Sequence, residues 1–236
     1  MLRRFGSVLV GLVVGCSSTS FPDAPEAGVT KAPLRQLWQP TPHEAFVALP
    51  SFIRASEGRF VLRRSQASAF FVERGFALSL AAPEGRYGVR CEFEEAFVTP
   101  IGEALSSATV HQVGRSTQAS AATYERLSWP DVRPGVSMIA EPRKHGFEYG
   151  FVLAPGVDLS AVTMRWSGAR AVSLRDGAVV VETGGPTVHV GGLRAYELRA
   201  SGRVELPARF TVDGSRVGVE VEGRSGDVPV IVDPVV

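Results

Sequence analysis

Apolar and polar residues alternate most clearly in residues 147–153, where the apolar positions are Phe147, Tyr149, Phe151 and Leu153. A repeat of two residues is typical of a strand with one face packed in a core. Residues 136–140 form the predicted partner strand, and the polar segment 142–146 between them begins with proline and ends with glycine, both of which interrupt strands. The pattern therefore predicts an antiparallel hairpin.

Two copies of one turn sequence flank this hairpin. They are Arg133-Pro134-Gly135-Val136 and Ala154-Pro155-Gly156-Val157. In such a turn proline presets φ at the second position and glycine accepts a positive φ at the third. We expect the first turn to lead into the hairpin and the second to follow it.

Short segments of strand-like composition continue from residue 50 to the end of the chain, with turn signals about every ten residues. No window shows an amphipathic helix longer than two turns. The predicted fold class is all-β: an antiparallel β-sandwich, as one body or as two layers end to end, with a closed barrel as the alternative. The remaining predicted strands are 59–63, 69–73, 76–81, 86–93, 108–113, 123–127, 162–166, 171–174, 178–182, 187–190, 193–199, 204–212, 216–222 and 228–232.

Residues 99–122 interrupt this pattern with a stretch rich in serine, alanine and threonine. Two interpretations stay open. The stretch is either a long surface loop or a seam between an N-terminal and a C-terminal half of the β domain.

The N-terminus has the layout of a bacterial lipoprotein signal. Arg3 and Arg4 precede an apolar run over residues 5–14, which at about ten residues is too short to span a bilayer. Val13-Val14-Gly15-Cys16 resembles the site at which such a signal is cleaved and the cysteine is lipidated. We therefore predict a signal peptide over 1–15, lipidation at Cys16, a flexible tether or docking latch over 16–49, and the β domain over 50–236.

Charge and cysteine content exclude several classes of function. The chain has 25 basic and 24 acidic residues, a net charge of +1, and without Arg3 and Arg4 the balance is 23 − 24 = −1. A nearly neutral chain lacks the excess of basic groups that nucleic-acid binding requires, so we expect no nucleic-acid partner. Cys91 alternates with polar neighbours and is predicted to be a buried, unreactive thiol without a disulfide partner.

No constellation typical of catalysis is visible. The four histidines are scattered, so we expect no transition-metal site and no cofactor, and we name no catalytic residue. The weak candidates for a binding site are Glu148, which lies mid-strand, Asp131 and Asp158 beside turns, and Trp129. Glu148 is expected to be either exposed or paired with an arginine, unless a second carboxylate lies close enough for glycosidase chemistry.

Several of these segments together resemble one bacterial family. They are Trp129-Pro130-Asp131-Val132-Arg133-Pro134-Gly135, Phe147-Glu148-Tyr149, Ala154-Pro155-Gly156-Val157-Asp158, residues 162–169 and Val230-Ile231-Val232-Asp233-Pro234. The pattern is similar to the β-rich DUF7948-type domain found N-terminal to SBBP-type β-propeller repeats in bacterial surface and secreted proteins. The resemblance covers roughly residues 60–236. Members of that family usually carry an acidic residue where this chain has Gly150.

Two functions are consistent with these observations. The first is a non-catalytic, lipid-anchored module of the cell envelope that binds the membrane through Cys16 and another envelope protein or a glycan through its β domain. The second is a carbohydrate-active or other hydrolytic enzyme on a β scaffold, which would need a pocket with two or more convergent ionisable side chains, for instance Glu148 with Asp131 or Asp158. We expect an exported protein in the cell envelope, anchored in the outer membrane on its periplasmic or surface face.

Overall fold

The computed structural model describes residues 12–13, 52–94, 96–113, 118–144 and 146–235. Within these ranges the chain is almost entirely β-strand, and every strand pairing is antiparallel. The all-β prediction is therefore confirmed. The described part contains one single-turn 3-10 helix, Leu159–Val162, and none of its helices has the length and apolar character needed to cross a membrane.

Eighteen strands follow one another along the described residues. The first group is β1 (Leu12–Val13), β2 (Phe52–Ser56), β3 (Arg59–Arg63), β4 (Ala67–Val72), β5 (Gly75–Ala82), β6 (Gly85–Glu92), β7 (Ile101–Val113), β8 (Gln118–Arg133) and β9 (Val136–Pro142). The second group is β10 (Phe147–Leu153), β11 (Met164–Ser167), β12 (Ala171–Arg175), β13 (Ala178–Glu182), β14 (Thr187–Arg199), β15 (Gly202–Leu206), β16 (Ala208–Asp213), β17 (Arg216–Val221) and β18 (Val230–Val235).

Hydrogen bonding joins these strands into one long, curled sheet. Its neighbours run in the order β16, β17, β11, β6, β5, β4, β3, β2, β8, β9, β10, β18 and β14. β7 pairs with β8 and with β1, β15 pairs with β14, and β13 and β12 extend from β14. Because β16 also lies against β12, β13 and β14, the sheet is nearly closed, and the predicted sandwich layers are two sides of one sheet.

An aromatic core fills the space between the two sides. Phe71 on β4 and Phe76 on β5 meet Phe147 on β10, with ring centroids 5.1 and 4.9 Å apart. Trp129 and Trp166 close the cluster and are about as buried as the phenylalanines. Rings in these edge-on arrangements stabilise the fold beyond the burial of their area. The core therefore ties the N-terminal strands to the central hairpin.

The central hairpin forms as the sequence predicts. β9 pairs with β10 from Pro142↔Phe147 to Val136↔Leu153, and Gly135 and Gly156 have φ of 74° and 76°. The two Pro-Gly turns lie against each other, because the amide of Ala154 donates to the carbonyl of Gly135 at 2.8 Å. One part of the prediction is wrong: both faces of β10 are buried, although the alternation suggested one packed face.

Other boundaries differ from the sequence prediction. Residues 101–113 and 118–133 are strands β7 and β8, so the predicted surface loop over 99–122 is wrong. β7 pairs along one edge of β8, while β2 and β9 follow one another along its other edge, so β8 links the two parts of the sheet between which the alternative interpretation places a seam. The segment 204–212 divides into β15 and β16 at Pro207, which cannot donate a ladder hydrogen bond.

Candidate functional site

Of the residues singled out in the sequence, Cys16 lies outside the described residues, and Trp129 belongs to the core. The Trp129 side chain is 1% exposed, and its Nε1–H donates to the carbonyl oxygen of Val72 at 2.8 Å. Its ring packs on Phe71, with the centroids 6.1 Å apart. A buried indole whose only polar atom is satisfied offers no surface on which a sugar could stack.

Asp131 and Asp158 are exposed and shape turns. Asp131 has a φ of 50°, and its amide donates to Ser137 Oγ at 3.2 Å. Asp158 Oδ1 accepts from the amide of Ser160 at 2.9 Å and so caps the 3-10 helix. Aspartate suits the first position because it tolerates a positive φ, and the second because its carboxylate accepts from a nearby amide.

Glu148 does not converge with either aspartate. It pairs with Glu141 at one end of the hairpin, whereas Asp131 and Asp158 flank the end at which Val136 pairs with Leu153. Leu153 lies five positions after Glu148 on β10, which is about 17 Å along a strand. The pair of carboxylates that the enzyme hypothesis needed is therefore not formed by these residues.

Glu148 instead lies in a buried cluster of charged side chains. It is 1% exposed and forms ion pairs with Arg143 and with Arg194, whose Nη2 is 3.9 Å from Glu148 Oε1. Its cross-strand partner Glu141 is also buried, and its Oε1 accepts from Arg126 Nε at 2.9 Å. Arg143 Nη2 also lies 3.3 Å from Glu141 Oε2, so this guanidinium bridges the two glutamates.

Asp233 adds a third buried carboxylate from β18. The register of β18 against β14 places Asp233 opposite Arg194, and its register against β10 places it near Gly150. Asp233 is 3% exposed, and among the described residues its Oδ1 has no hydrogen-bond partner. We call Glu141, Glu148, Asp233, Arg126, Arg143 and Arg194 the ionic cluster.

Burial and neighbouring charges shift the pKa values of the groups in this cluster in opposite directions. Loss of hydration raises the pKa of Asp233 to about 6, while Arg194 and Arg143 oppose the shift. Burial also lowers the pKa of Arg143, although Glu141 and Asp233 favour its charged form. The cluster is therefore held together by mutual neutralisation in a poorly hydrated environment.

The turn beside the cluster is fixed by another arginine. Arg64, which precedes β4, donates from Nη2 to the carbonyl oxygens of Arg143 and Gly146, the latter at 3.1 Å. This contact joins residues about eighty positions apart in the sequence. It holds the β9–β10 turn, and with it Arg143, against the N-terminal side of the sheet.

Cys91 is a structural residue, as its alternation predicts. It is fully buried on β6, and its Sγ lies 3.8 Å from Met164 Sδ. Burial raises the pKa of the thiol well above its ordinary value, which keeps it protonated and unreactive. Within the described ranges no three His, Cys, Asp or Glu side chains are grouped so as to hold a metal ion.

The sequence points to Glu148 but not to its partners. Glu141 lies just beyond the predicted end of its strand, and Arg143 falls in the predicted polar loop. A signal was present, because extending the hairpin register by one pair places Glu141 and Glu148 on the same face. Nothing in the sequence pairs Asp233 or Arg194 with them, because that contact depends on the order of distant strands.

Comparison with known proteins adds one positive result. No curated protein and no solved structure matches this chain. A family model described as "Domain of unknown function (DUF7948)" matches residues 53–235, which include β2 to β18 and the whole ionic cluster. The chain therefore belongs to the DUF7948 family.

Proposed function

We propose that this protein is a non-catalytic module of the bacterial cell envelope, anchored by lipid at Cys16 and serving as a structural or interaction domain. The anchor is supported by the two arginines, the short apolar run and the Val-Val-Gly-Cys sequence at the N-terminus. Acyl chains on one cysteine hold a protein stably at a bilayer, since each buried methylene contributes about 0.8 kcal/mol. The outer membrane is the proposed location.

The burial and ion pairing of the carboxylates in the ionic cluster support a non-catalytic function. The described carboxylates that converge are buried: Glu141 and Glu148 form ion pairs with arginines, and Asp233 lies opposite Arg194. A general acid or base has to reach its substrate within hydrogen-bond distance. Groups that are buried and mutually neutralised stabilise a fold more readily than they perform such a reaction.

Membership in the DUF7948 family supports an interaction role. The family resemblance implies that such domains precede SBBP-type β-propeller repeats in surface and secreted proteins. We propose that this domain accompanies or caps an envelope protein of that kind, or binds a glycan at the cell surface. The residues shared with the family pattern form turns and core, so we expect the shared property to be the scaffold.

Metabolic labelling with radioactive palmitate tests the anchor. We expect label on the wild-type protein and none on Cys16→Ser, with Cys91→Ser as the control that keeps the lipidation site. Label on both cysteine variants would contradict lipidation at Cys16, and so would the absence of label from the wild-type protein and its variants.

Affinity capture from detergent-solubilised envelopes tests the interaction role. We expect the tagged wild-type chain to retain one envelope protein in a stoichiometric amount. Retention of glycan without protein would favour the carbohydrate-binding form of the proposal. Turnover of a glycoside or peptide substrate that is abolished by Glu148→Gln without unfolding would contradict a non-catalytic role.

A further inference from the structure

The outward face of β3 to β6 carries arginines on both sides of an exposed aromatic ring. Strand alternation defines this face, because Phe60, Leu62, Phe71, Phe76 and Cys91 on the same strands are buried in the core. The positions between them point outward. We call the following residues the arginine face: Arg59, Arg63, Phe70, Arg86 and Arg90.

The register of the strands places the ring between the charges. One row across the sheet runs Val61↔Phe70↔Ala77↔Arg90, and Phe70 is 43% exposed. Adjacent strands are about 4.8 Å apart, so the backbone of Arg90, two strands from Phe70, is about 10 Å away. Arg59 and Arg63 lie on the other side of Phe70, on β3.

Small side chains separate the arginines. Arg63 is opposite Ser68, which is opposite Ser79, and Arg86 Nε donates to Ser79 Oγ at 2.9 Å. Ala77 faces outward in the row of Arg90. Serine and alanine leave the long arginine side chains room to extend over the sheet towards a partner.

This face is distinct in charge from the rest of a nearly neutral chain. It carries four arginines, with Glu92 as the outward acidic residue on β6. Among the described residues no carboxylate forms an ion pair with Arg59, Arg63 or Arg90. Arg175 and Arg209, which lie outside this face, form ion pairs with Glu182 and Glu220.

We propose that the arginine face docks on an anionic bilayer surface, with the guanidinium groups on lipid phosphates and the Phe70 ring at headgroup depth. The inference rests on the proposed anchor at Cys16, which would keep the domain beside a membrane. β2, the first strand after the predicted tether, pairs directly with β3, so the chain enters the body beside this face. An apolar ring among cations is the composition that binds anionic interfaces.

Vesicle co-sedimentation tests the docking without the anchor. The full chain with Cys16→Ser is mixed with vesicles of phosphatidylglycerol and phosphatidylcholine, or of phosphatidylcholine alone. We expect binding to the anionic vesicles only, weakening as salt is raised. Arg63→Gln with Arg90→Gln should weaken it on the order of 30-fold, since each basic residue near an anionic surface contributes about fivefold.

Matched variants distinguish the effect of the arginine face from the effect of the overall charge of the protein. Arg175→Gln with Arg209→Gln removes two charges from β12 and β16 and should change vesicle binding less than about twofold, because those arginines lie outside the face. Phe70→Ser should weaken binding, whereas Leu174→Ser, which changes a residue of similar exposure on β12, should not. The leader is common to all these variants, so its own affinity for lipid cancels in the comparison.

Three results would overturn the proposal: no binding to anionic vesicles, equal loss in both arginine pairs, or RNA competing as well as the vesicles do. The last would indicate a general polyanion site. If the vesicle experiments contradict the docking but the protein still incorporates palmitate, the anchor at Cys16 remains supported. Vesicle binding by a chain that incorporates no palmitate would instead sustain the arginine face and remove the anchor.

Discussion

The two faces of the central hairpin are both buried, yet they are stabilised by opposite means. On one face Phe147, Tyr149 and Phe151 pack against rings on β4 and β5 and against Phe93, which follows β6. On the other face Glu148 and its cross-strand neighbour Glu141 lie among arginines, beside a small apolar cluster that includes Ile139 and Val152. Burial by itself therefore says little about the chemistry of a strand face.

The difference lies in what each face requires to be stable. Apolar packing is a sum of many small contacts, so partial loss has a graded cost. A buried ion cluster is favourable only while each charge keeps its partner, because the loss of hydration is large and fixed. The aromatic face should respond to changes in volume, and the ionic face to changes in charge.

The largest expected effect is on the aromatic face. Phe76 is fully buried and meets the rings of Phe147, Tyr149 and Trp166 at centroid distances of 4.9 to 5.8 Å. Phe76→Ala should lower the free energy of unfolding by about 3–5 kcal/mol, measured by urea denaturation. Phe97→Ala, at a site that is 72% exposed, is the control and should cost less than about 1 kcal/mol. Equal costs would contradict the described core.

Removal of one charge, without a change in side-chain volume, should destabilise the ionic cluster. Glu148→Gln leaves Arg143 with Glu141 as its remaining glutamate partner, and we expect a loss of about 3 kcal/mol in the free energy of unfolding. Glu182→Gln removes the acid of the exposed Arg175 pair and should cost at most about 1 kcal/mol. A neutral or stabilising Glu148→Gln would mean that the cluster does not depend on its charge balance.

The pH dependence of stability measures the contribution of Asp233. Its pKa is raised from 3.8 to about 6 in the folded protein, so the folded state binds the proton more tightly than the unfolded state. Its contribution is fully present below pH 3.8 and is lost as the pH rises through about 6. We expect the stability of the wild type, relative to Asp233→Asn, to fall by about 2 kcal/mol across this window.

Urea midpoints of both proteins at a series of pH values measure this difference. Subtracting the stability of Asp233→Asn from that of the wild type at each pH removes the contributions of other titrating groups. One of these is Glu197, whose pKa is lowered by the amide of Ser225 and by Arg199. A relative stability that rises with pH across the window would show that Asp233 is mainly charge-stabilised.

The smallest effect concerns the two Pro-Gly turns that set the register of both faces. Gly135 and Gly156 have nearly the same φ, but an added Cβ at Gly135 would lie 2.8 Å from Val157 Cγ2, while the space at Gly156 is open. Gly156→Ala should cost about 1 kcal/mol for the positive φ alone. Gly135→Ala should cost roughly 1 kcal/mol more, by urea denaturation, because a side chain must move. Identical costs would contradict the contact between the turns.

Local patterns were reliable where backbone geometry is decided by neighbouring residues. The strands 59–63, 147–153 and 178–182 have the predicted bounds, and Asp176-Gly177 forms a hairpin turn with both residues at positive φ. Asp213-Gly214 is the same type of turn dipeptide, but Asp213 ends β16 and the turn is shifted by one residue. The dipeptide indicates a turn, whereas cross-strand pairing decides its register.

The sequence by itself determined the all-β class, the central hairpin, its two Pro-Gly turns and the burial of Cys91, because alternation and turn residues act over a few positions. Only the tertiary structure decided that β18 lies between β10 and β14, and thereby that Asp233 lies opposite Arg194 and near Gly150. In the pairing of β10 with β18, Val232 lies opposite Phe151, which is 81 residues earlier in the sequence, and no local preference encodes this pairing. Strand order follows from how the whole apolar surface is buried, so the chemistry of the second face became visible only in the folded chain.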